Sequence, residues 1–154
     1  HGRQADIALR LVRPTQNDLT VRRIAHFSYR IYGHEGYLET TRRKDWRFVQ
    51  IAVNTRFSRW FAEQIGEDAD ISFASNDFAA VKQAVCEQIG IGILPDFAVF
   101  PADRLHPVSF NPDAPPPEFS EELLLVMHED VRRSSSVRAV ADYFAEALEH
   151  LSAQ

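Results

Sequence analysis

Residues 72–97, which read SFASNDFAAVKQAVCEQIGIGILPDF, constrain the fold more than any other part of the chain. Ser75 or Asn76 can cap a helix by accepting hydrogen bonds from the free N–H groups of its first turn. Apolar residues then recur at helical spacing and should share one face: Phe78, Val81, Val85 and Ile89. Gly90 is a natural helix stop, and residues 91–94 have the unbroken apolar composition of a buried strand that Pro95 ends. The stretch predicts a βαβ unit.

Other segments extend this pattern along the chain. Strands are predicted at 5–11, 24–32, 47–53, 104–109 and 122–128 from their apolar and β-branched composition. Asn54 or Thr55 should cap a helix that Gly66 closes, with an apolar face formed by Phe57, Trp60, Phe61 and Ile65. A last helix should be capped by one of the serines at 134–136 and carry a stripe of Val137, Val140, Ala141, Phe144, Leu148 and Leu151. Alternating strands and helices predict an α/β fold with mostly parallel sheet.

Composition excludes several classes of protein. With 45% apolar and 25% charged residues, the chain has the composition of a globular domain. The formal charge of −5 argues against DNA binding by this chain, since phosphate neutralisation needs a basic face. The single cysteine, Cys86, excludes an internal disulfide and fits a reducing compartment. No apolar run approaches the roughly 20 residues of a membrane helix, so a cytoplasmic protein is expected.

Short basic clusters occur in three places: Arg22 with Arg23, Arg42 to Lys44, and Arg132 with Arg133. Isolated clusters of this size are usually solvated surface, and we interpret them in that way.

Catalytic and metal-binding patterns are missing from the sequence. The six histidines are scattered without ligand spacing, no G-x-S-x-G occurs, and the glycines at 90 and 92 follow a helix, whereas a phosphate-binding loop follows a strand. We therefore expect no catalytic residues, no metal and no cofactor. His34 with Glu35 is the nearest approach to a catalytic pair.

A ligand site is better supported by the sequence. Small molecules bind beyond the carboxyl ends of strands in open α/β sheets, where helix N-termini direct N–H groups outward. Two strand-to-helix joints fit, and their candidate residues are Asn54, Thr55, Arg56, Phe57 and Ser75. Arg56 suits a carboxylate and Phe57 could supply an apolar wall. Ordinary helix capping explains the polar residues of both joints equally well.

The order of these segments resembles the effector-binding domain of LysR-type transcriptional regulators. The residues that carry the resemblance are ADIALRL at 5–11, VRRIAHFSYRIYGHEGYL at 21–38, FVQIAVNTRFSRWF at 48–61, GIGILP at 90–95 and ELLLVMHEDVRRSSSVRAVADYFAEAL at 122–148. The resemblance implies a two-lobed type 2 periplasmic-binding-protein-like fold with mixed, mostly parallel sheets and flanking helices. Residues 1–38 and 121–154 would form the first lobe, residues 39–120 the second, and strands at about 24–33 and 121–128 the hinge.

The resemblance also implies a function and a site. A small effector, an organic anion rather than a cation, would bind between the lobes at Arg10 and Leu11 of the first and Thr55, Arg56 and Phe57 of the second. Arg10 could instead form a surface salt bridge. DNA would be bound only by a separate winged helix-turn-helix domain, and the intact regulator would be a homo-oligomer. A solute-binding protein of the same fold is the alternative, and an enzyme of similar shape is a third class.

The chain departs from the family at its start. A strand, a helix and a second strand normally precede the segment matching 5–11, and the DNA-binding domain and a linker helix precede those. None of these elements is present in the sequence, so we expect an incomplete first lobe and weakened effector binding.

Overall fold

A computed structural model describes residues 7–11, 19–128 and 135–152. It has the predicted mixed α/β architecture, with a sheet of seven strands and flanking helices. The elements, in chain order, are β1 (Ile7–Arg10), β2 (Leu19–His34), α1 (Glu35–Thr40), β3 (Arg47–Ile51), α2 (Arg56–Ile65), β4 (Asp70–Ser75), α3 (Phe78–Cys86), β5 (Ile91–Pro95), β6 (Leu105–Pro107), β7 (Glu118–His128) and α4 (Ser135–Ser152).

The described residues divide into two compact units. The larger unit is Ser28–Phe119, and the smaller contains β1, α4, the first part of β2 and most of β7. Both unit boundaries therefore fall inside long strands.

The larger unit contains the predicted βαβ arrangement. β3 pairs in parallel with β4 on one side and with β5 on the other, so α3 carries the chain across β3. β5 also pairs antiparallel with β2, and β6 extends the sheet from the other side of β2. All five residues of β5 are buried, which agrees with the unbroken apolar run that predicted it.

Two glycines allow this part of the sheet to pack closely. A Cβ atom at Gly92 would lie 3.2 Å from Val85 Cγ2 and 3.3 Å from Val81 Cγ1, so α3 rests directly on β5. A Cβ atom at Gly90 would lie 2.7 Å from the carbonyl oxygen of Arg47, a backbone atom that cannot move aside cheaply.

The ends of α3 differ from the prediction. Its N-cap is Asp77, whose side chain accepts a hydrogen bond from the Ala79 N–H, and not Ser75 or Asn76. β4 extends through Ser75, which places the first helical residue at Phe78 and leaves Asp77 in the cap position. The helix ends at Cys86, and Gln88 adopts the left-handed conformation, with φ of 63°. Ile89 therefore lies beyond the helix and is 41% exposed rather than part of its buried face.

The smaller unit has its own apolar core. Here β1 pairs antiparallel with β7, and α4 contributes Ala141 and Ala145 to a cluster with Ile24, Leu125 and Met127. Leu148 packs against the same cluster, so the buried face follows positions 141, 145 and 148. Val140 and Phe144, which the sequence placed on this face, are exposed because they lie to one side of it. Ser134 and the side chains of Val137 and Leu151 lie outside the described residues.

Replacing Gly90 by alanine should lower the free energy of unfolding by about 1–3 kcal/mol, because the added methyl group would meet the Arg47 carbonyl. Chemical denaturation would measure this change. Gly36→Ala is the matched control, since the three atoms nearest to its methyl group would all belong to the flexible Gln88 side chain, the closest at 3.0 Å. Equal effects of the two substitutions would contradict the proposed close approach of Gly90 to the sheet.

Candidate functional site

The carboxyl ends of β3 and β4 lie side by side in the larger unit. Ile51 is paired with Ser75, and the Ala52 N–H donates to the Ser75 carbonyl across 2.7 Å. Because the strands are parallel, the two joints nominated by the sequence emerge at the same edge of the sheet. The structure therefore brings Ala52, just before the first joint, next to Ser75.

Thr55, rather than Asn54, caps α2. The Ser58 N–H donates to Thr55 Oγ1 across 3.5 Å, and the Thr55 N–H donates to Ser58 Oγ across 2.9 Å, which forms a reciprocal capping box. Asn54 is exposed, and its Oδ1 accepts a hydrogen bond from Arg59 Nη1 at 2.9 Å. Both candidate side chains therefore already have local partners within the larger unit.

Ser75 also has a local role. Its Oγ accepts a hydrogen bond from the Asp77 N–H across 3.2 Å, which holds the turn that leads into α3. The side chain is half-buried at the end of β4.

Five aromatic rings surround the start of α2 and form what we name the aromatic cluster: Tyr29, Phe57, Trp60, Phe78 and Phe119. The Phe57 ring stacks on that of Tyr29, with centroids 4.7 Å apart and planes 16° apart. At 7% exposure, Phe57 is a core residue whose ring has little surface left for a ligand. Trp60 and Phe119, which are half-buried with centroids 5.8 Å apart, offer more of their surface.

The sequence did not nominate Tyr29, Trp60, Phe78 or Phe119 as site residues. Tyr29 lies in a predicted strand, Trp60 and Phe78 lie on predicted helix faces, and Phe119 follows the proline-rich segment. Each has an apolar pattern typical of core residues, and no signal in the sequence indicated that they meet.

Arg56 is an exposed cation at this edge. Its guanidinium carbon lies 5.4 Å from the centroid of the Phe119 ring, a cation–π distance. Among the residues that the structure describes, no carboxylate forms a salt bridge with Arg56, whereas Arg30 of the same unit pairs with Asp96 and Glu118. Among these residues, Arg56 is therefore restrained by an aromatic ring and not by a carboxylate.

Arg10 and Leu11 lie in the smaller unit, at the end of β1. Arg10 is paired with Leu124 of β7, and the side chains of both candidates are exposed.

His34 and Glu35 are both used in structural contacts. His34 Nδ1 caps α1 by accepting a hydrogen bond from the Gly36 N–H at 3.0 Å, which requires an unprotonated Nδ1. The Glu35 carboxylate contacts Arg104 and also His106 Nε2, 3.1 Å away. The hydrogen bond with His106, followed by that with Arg104, holds the pKa of Glu35 below its usual value. These contacts give Glu35 the character of a paired surface carboxylate.

The described residues contain no group of three or more His, Cys, Asp or Glu side chains that could hold a metal ion. Within the same residues, no helix is long and apolar enough to cross a membrane.

Comparison with known proteins identifies the family. The sequence matches the model of the LysR substrate binding domain over residues 1–149. The chain belongs to this family. No curated protein sequence shows significant similarity to this LysR domain.

Solved structures of LysR-type regulators share the fold at low sequence identity. The regulatory domain of CrgA from Neisseria meningitidis is 16% identical with a TM-score of 0.65, over 94% of this chain and 76% of that one. LysG from Corynebacterium glutamicum was solved at full length with the effector Arg bound. It is 8% identical with a TM-score of 0.69, and the match covers 93% of this chain and 51% of that one. Full-length AphB from Vibrio cholerae is 14% identical with a TM-score of 0.67, and the match covers 92% of this chain and 51% of that one. The LysR domain thus spans about half the length of the two full-length regulators.

Substituting Thr55 by alanine should lower the free energy of unfolding by about 1 kcal/mol, the usual cost of losing an N-cap. Asn54→Ala is the matched control and should change the free energy of unfolding by less than about 0.5 kcal/mol, because Asn54 is exposed and its side chain accepts a hydrogen bond from a surface arginine, Arg59. Thermal and urea unfolding would measure both values. The assignment of the cap to Thr55 fails if Asn54→Ala is the more damaging substitution.

Proposed function

We propose that this LysR domain senses a small organic anion at the edge formed by residues 54–57 and Ser75, and that binding controls a separate DNA-binding domain of the same regulator. The observation that carries the proposal is Arg56, an exposed cation without a salt bridge among the described residues, held against an aromatic ring where two parallel strands end. The site contacts expected from the family add Arg10 and Leu11 of the smaller unit.

An anion is favoured over a cation by the charges at this edge. Arg56 has a planar guanidinium that can make two parallel hydrogen bonds to a carboxylate. The N-terminus of α2 adds a partial positive charge, although its cap already satisfies one N–H group. Trp60 and Phe119 would contact an apolar or aromatic body attached to the carboxylate. The effector in the LysG structure is Arg, which carries a carboxylate but is a cation as a whole, so it is a precedent for a carboxylate group and not for a net anion.

Regulation would follow from unequal affinity. A ligand changes the balance of two conformations only by the difference between its affinities for them. An effector would act on transcription by favouring the arrangement in which the DNA-binding domains of the assembled regulator meet their operator, or the arrangement in which they do not. We propose a regulatory role without catalysis, in the cytoplasm, where the operator lies.

Self-association of the intact regulator is part of this proposal. β4 is the last strand of the sheet order, and it exposes 38% of Ile71 and 40% of Phe73. Exposed apolar side chains on an edge strand favour pairing with a second copy. DNA contacts would come from the separate domain, since this chain carries a formal charge of −5.

A thermal-shift screen against aliphatic and aromatic carboxylates, each paired with its neutral amide or alcohol, would test the proposed effector class. We expect at least one carboxylate to stabilise the regulator while its neutral analogue does not. Arg56→Gln should weaken that carboxylate roughly tenfold or more, because a charge-assisted hydrogen bond is lost. Calorimetry would supply the dissociation constants.

Arg47→Gln is the control, since it removes a positive charge at the opposite, amino end of β3, where Arg47 pairs with Asp70, and it should leave affinity within about twofold. The proposal fails if no carboxylate binds, or if Arg56→Gln leaves the dissociation constant of the carboxylate unchanged.

A further inference from the structure

The basic run at 42–44 is more ordered than the sequence indicated. Arg43 begins a 3-10 turn of three residues that precedes β3. Its Nε donates to the Ser109 carbonyl at 3.2 Å, and its guanidinium carbon lies 5.4 Å from the centroid of the Trp46 ring. A hydrogen bond and an aromatic ring thus fix the position of this cation.

Trp46 is itself held firmly. Its indole N–H donates to the Thr41 carbonyl at 3.2 Å. Its ring packs edge-on against the Phe110 ring, with centroids 6.1 Å apart. Only 9% of Trp46 is exposed. The ring that supports Arg43 is therefore part of the rigid core of the larger unit.

A cavity of about 680 Å³ opens beside this pair and is named here the Arg43 cavity. Its polar lining includes Thr41, Arg42 and Arg43. Its apolar lining comes from five residues: Leu38, Trp46, Pro107, Val108 and Pro116. Small-molecule sites usually have volumes of roughly 300–1,000 Å³, apolar walls and a few fixed polar groups. None of the residues of α2 lines the cavity, so it is separate from the edge at 54–57.

The charges around the cavity favour an anion bound to Arg43. Arg42 is partly neutralised by Asp45, whose carboxylate is 3.4 Å from its Nε. Arg43 has no salt bridge among the described residues, and its two Nη groups make no hydrogen bond within them. Glu39 is an exposed carboxylate in the lining and opposes an anion there.

We propose that the Arg43 cavity is a second ligand site of this LysR domain, which takes a small organic carboxylate with an apolar or aromatic body. The carboxylate pairs with the Nη groups of Arg43, and the body lies in the cavity against its apolar lining. Inorganic phosphate would leave that apolar wall uncovered and should bind more weakly.

The two tryptophans of the chain allow the two proposed sites to be observed separately. Trp60 belongs to the aromatic cluster beside Arg56, and Trp46 lines the Arg43 cavity. Phenylacetate would be titrated into the Trp60→Phe variant, in which Trp46 is the sole indole. We expect a saturable change in its fluorescence, with 2-phenylethanol, the neutral analogue, binding at least tenfold more weakly.

Two substitutions test the electrostatic assignment in that background. Arg43→Gln should weaken phenylacetate about tenfold, whereas Glu39→Gln should tighten it severalfold by removing a like charge. Far-ultraviolet circular dichroism would detect a folding defect in Arg43→Gln. If that variant does not fold, Glu39→Gln still tests the electrostatic assignment. An unsaturable Trp46 signal, equal binding of 2-phenylethanol, or unchanged affinity in both variants would overturn the proposal.

Crossed controls separate this proposal from the effector site. Arg56→Gln should leave the Trp46 titration within about twofold, since it lies outside the cavity lining. In the Trp46→Phe variant, Arg43→Gln should likewise leave the Trp60 response to an identified effector unchanged. Loss of the Trp46 signal on Arg56→Gln would overturn the second site, and the effector proposal would still be judged by its own carboxylate screen.

Discussion

The parallel pairing of β3 with both β4 and β5 is the constraint on which the larger unit depends. It requires the chain to cross β3 through α3, and it requires backbone to approach backbone closely at Gly90. Ser72 strengthens the same region, because its Oγ donates to the Ile89 carbonyl at 2.9 Å and so ties β4 to the segment before β5. The same pairing sends both strand-to-helix joints to one edge, and the position of the candidate site is a direct consequence of sheet topology.

Packing at that edge assigns different roles to neighbouring residues. Phe57 turns inward and stacks on Tyr29, which anchors the first turn of α2 to β2 within the larger unit. Arg56, one residue earlier, remains exposed against Phe119. The helix start fixes the backbone of Arg56 and the Phe119 ring restrains its guanidinium, so a bound anion would cost less side-chain freedom there than at an unrestrained arginine. The core that stabilises the unit therefore also positions the proposed recognition group, Arg56.

Arg56 and Arg43 share one arrangement within the larger unit, a guanidinium packed on an aromatic ring. Each guanidinium lies 5.4 Å from an aromatic centroid, and neither forms a salt bridge among the described residues. Arg30, Arg42 and Arg47 instead pair with carboxylates. Stacking on a ring restrains an arginine and leaves its charge in place. An ion pair restrains the arginine and also neutralises its charge. This difference distinguishes potential anion sites from ordinary surface charge in a chain that is acidic as a whole.

The sequence by itself determined the elements and their order, because apolar periodicity, capping residues and glycines are local signals. It predicted β5 and the βαβ unit, and it nominated Thr55 as one of two possible caps. It misplaced the cap of α3, the extent of its face through Ile89, and the buried side of α4, since strand length and packing partners decide these. The sequence offered two roles for Phe57, a helix face and a ligand wall, and only the tertiary structure decided that the ring is core. Only the structure also decided that Arg56 is exposed against Phe119 and that Arg43 lies on Trp46 beside a cavity. Those facts depend on contacts such as Arg56 with Phe119 and Arg43 with Ser109, which join residues more than sixty positions apart, and no local pattern encodes them.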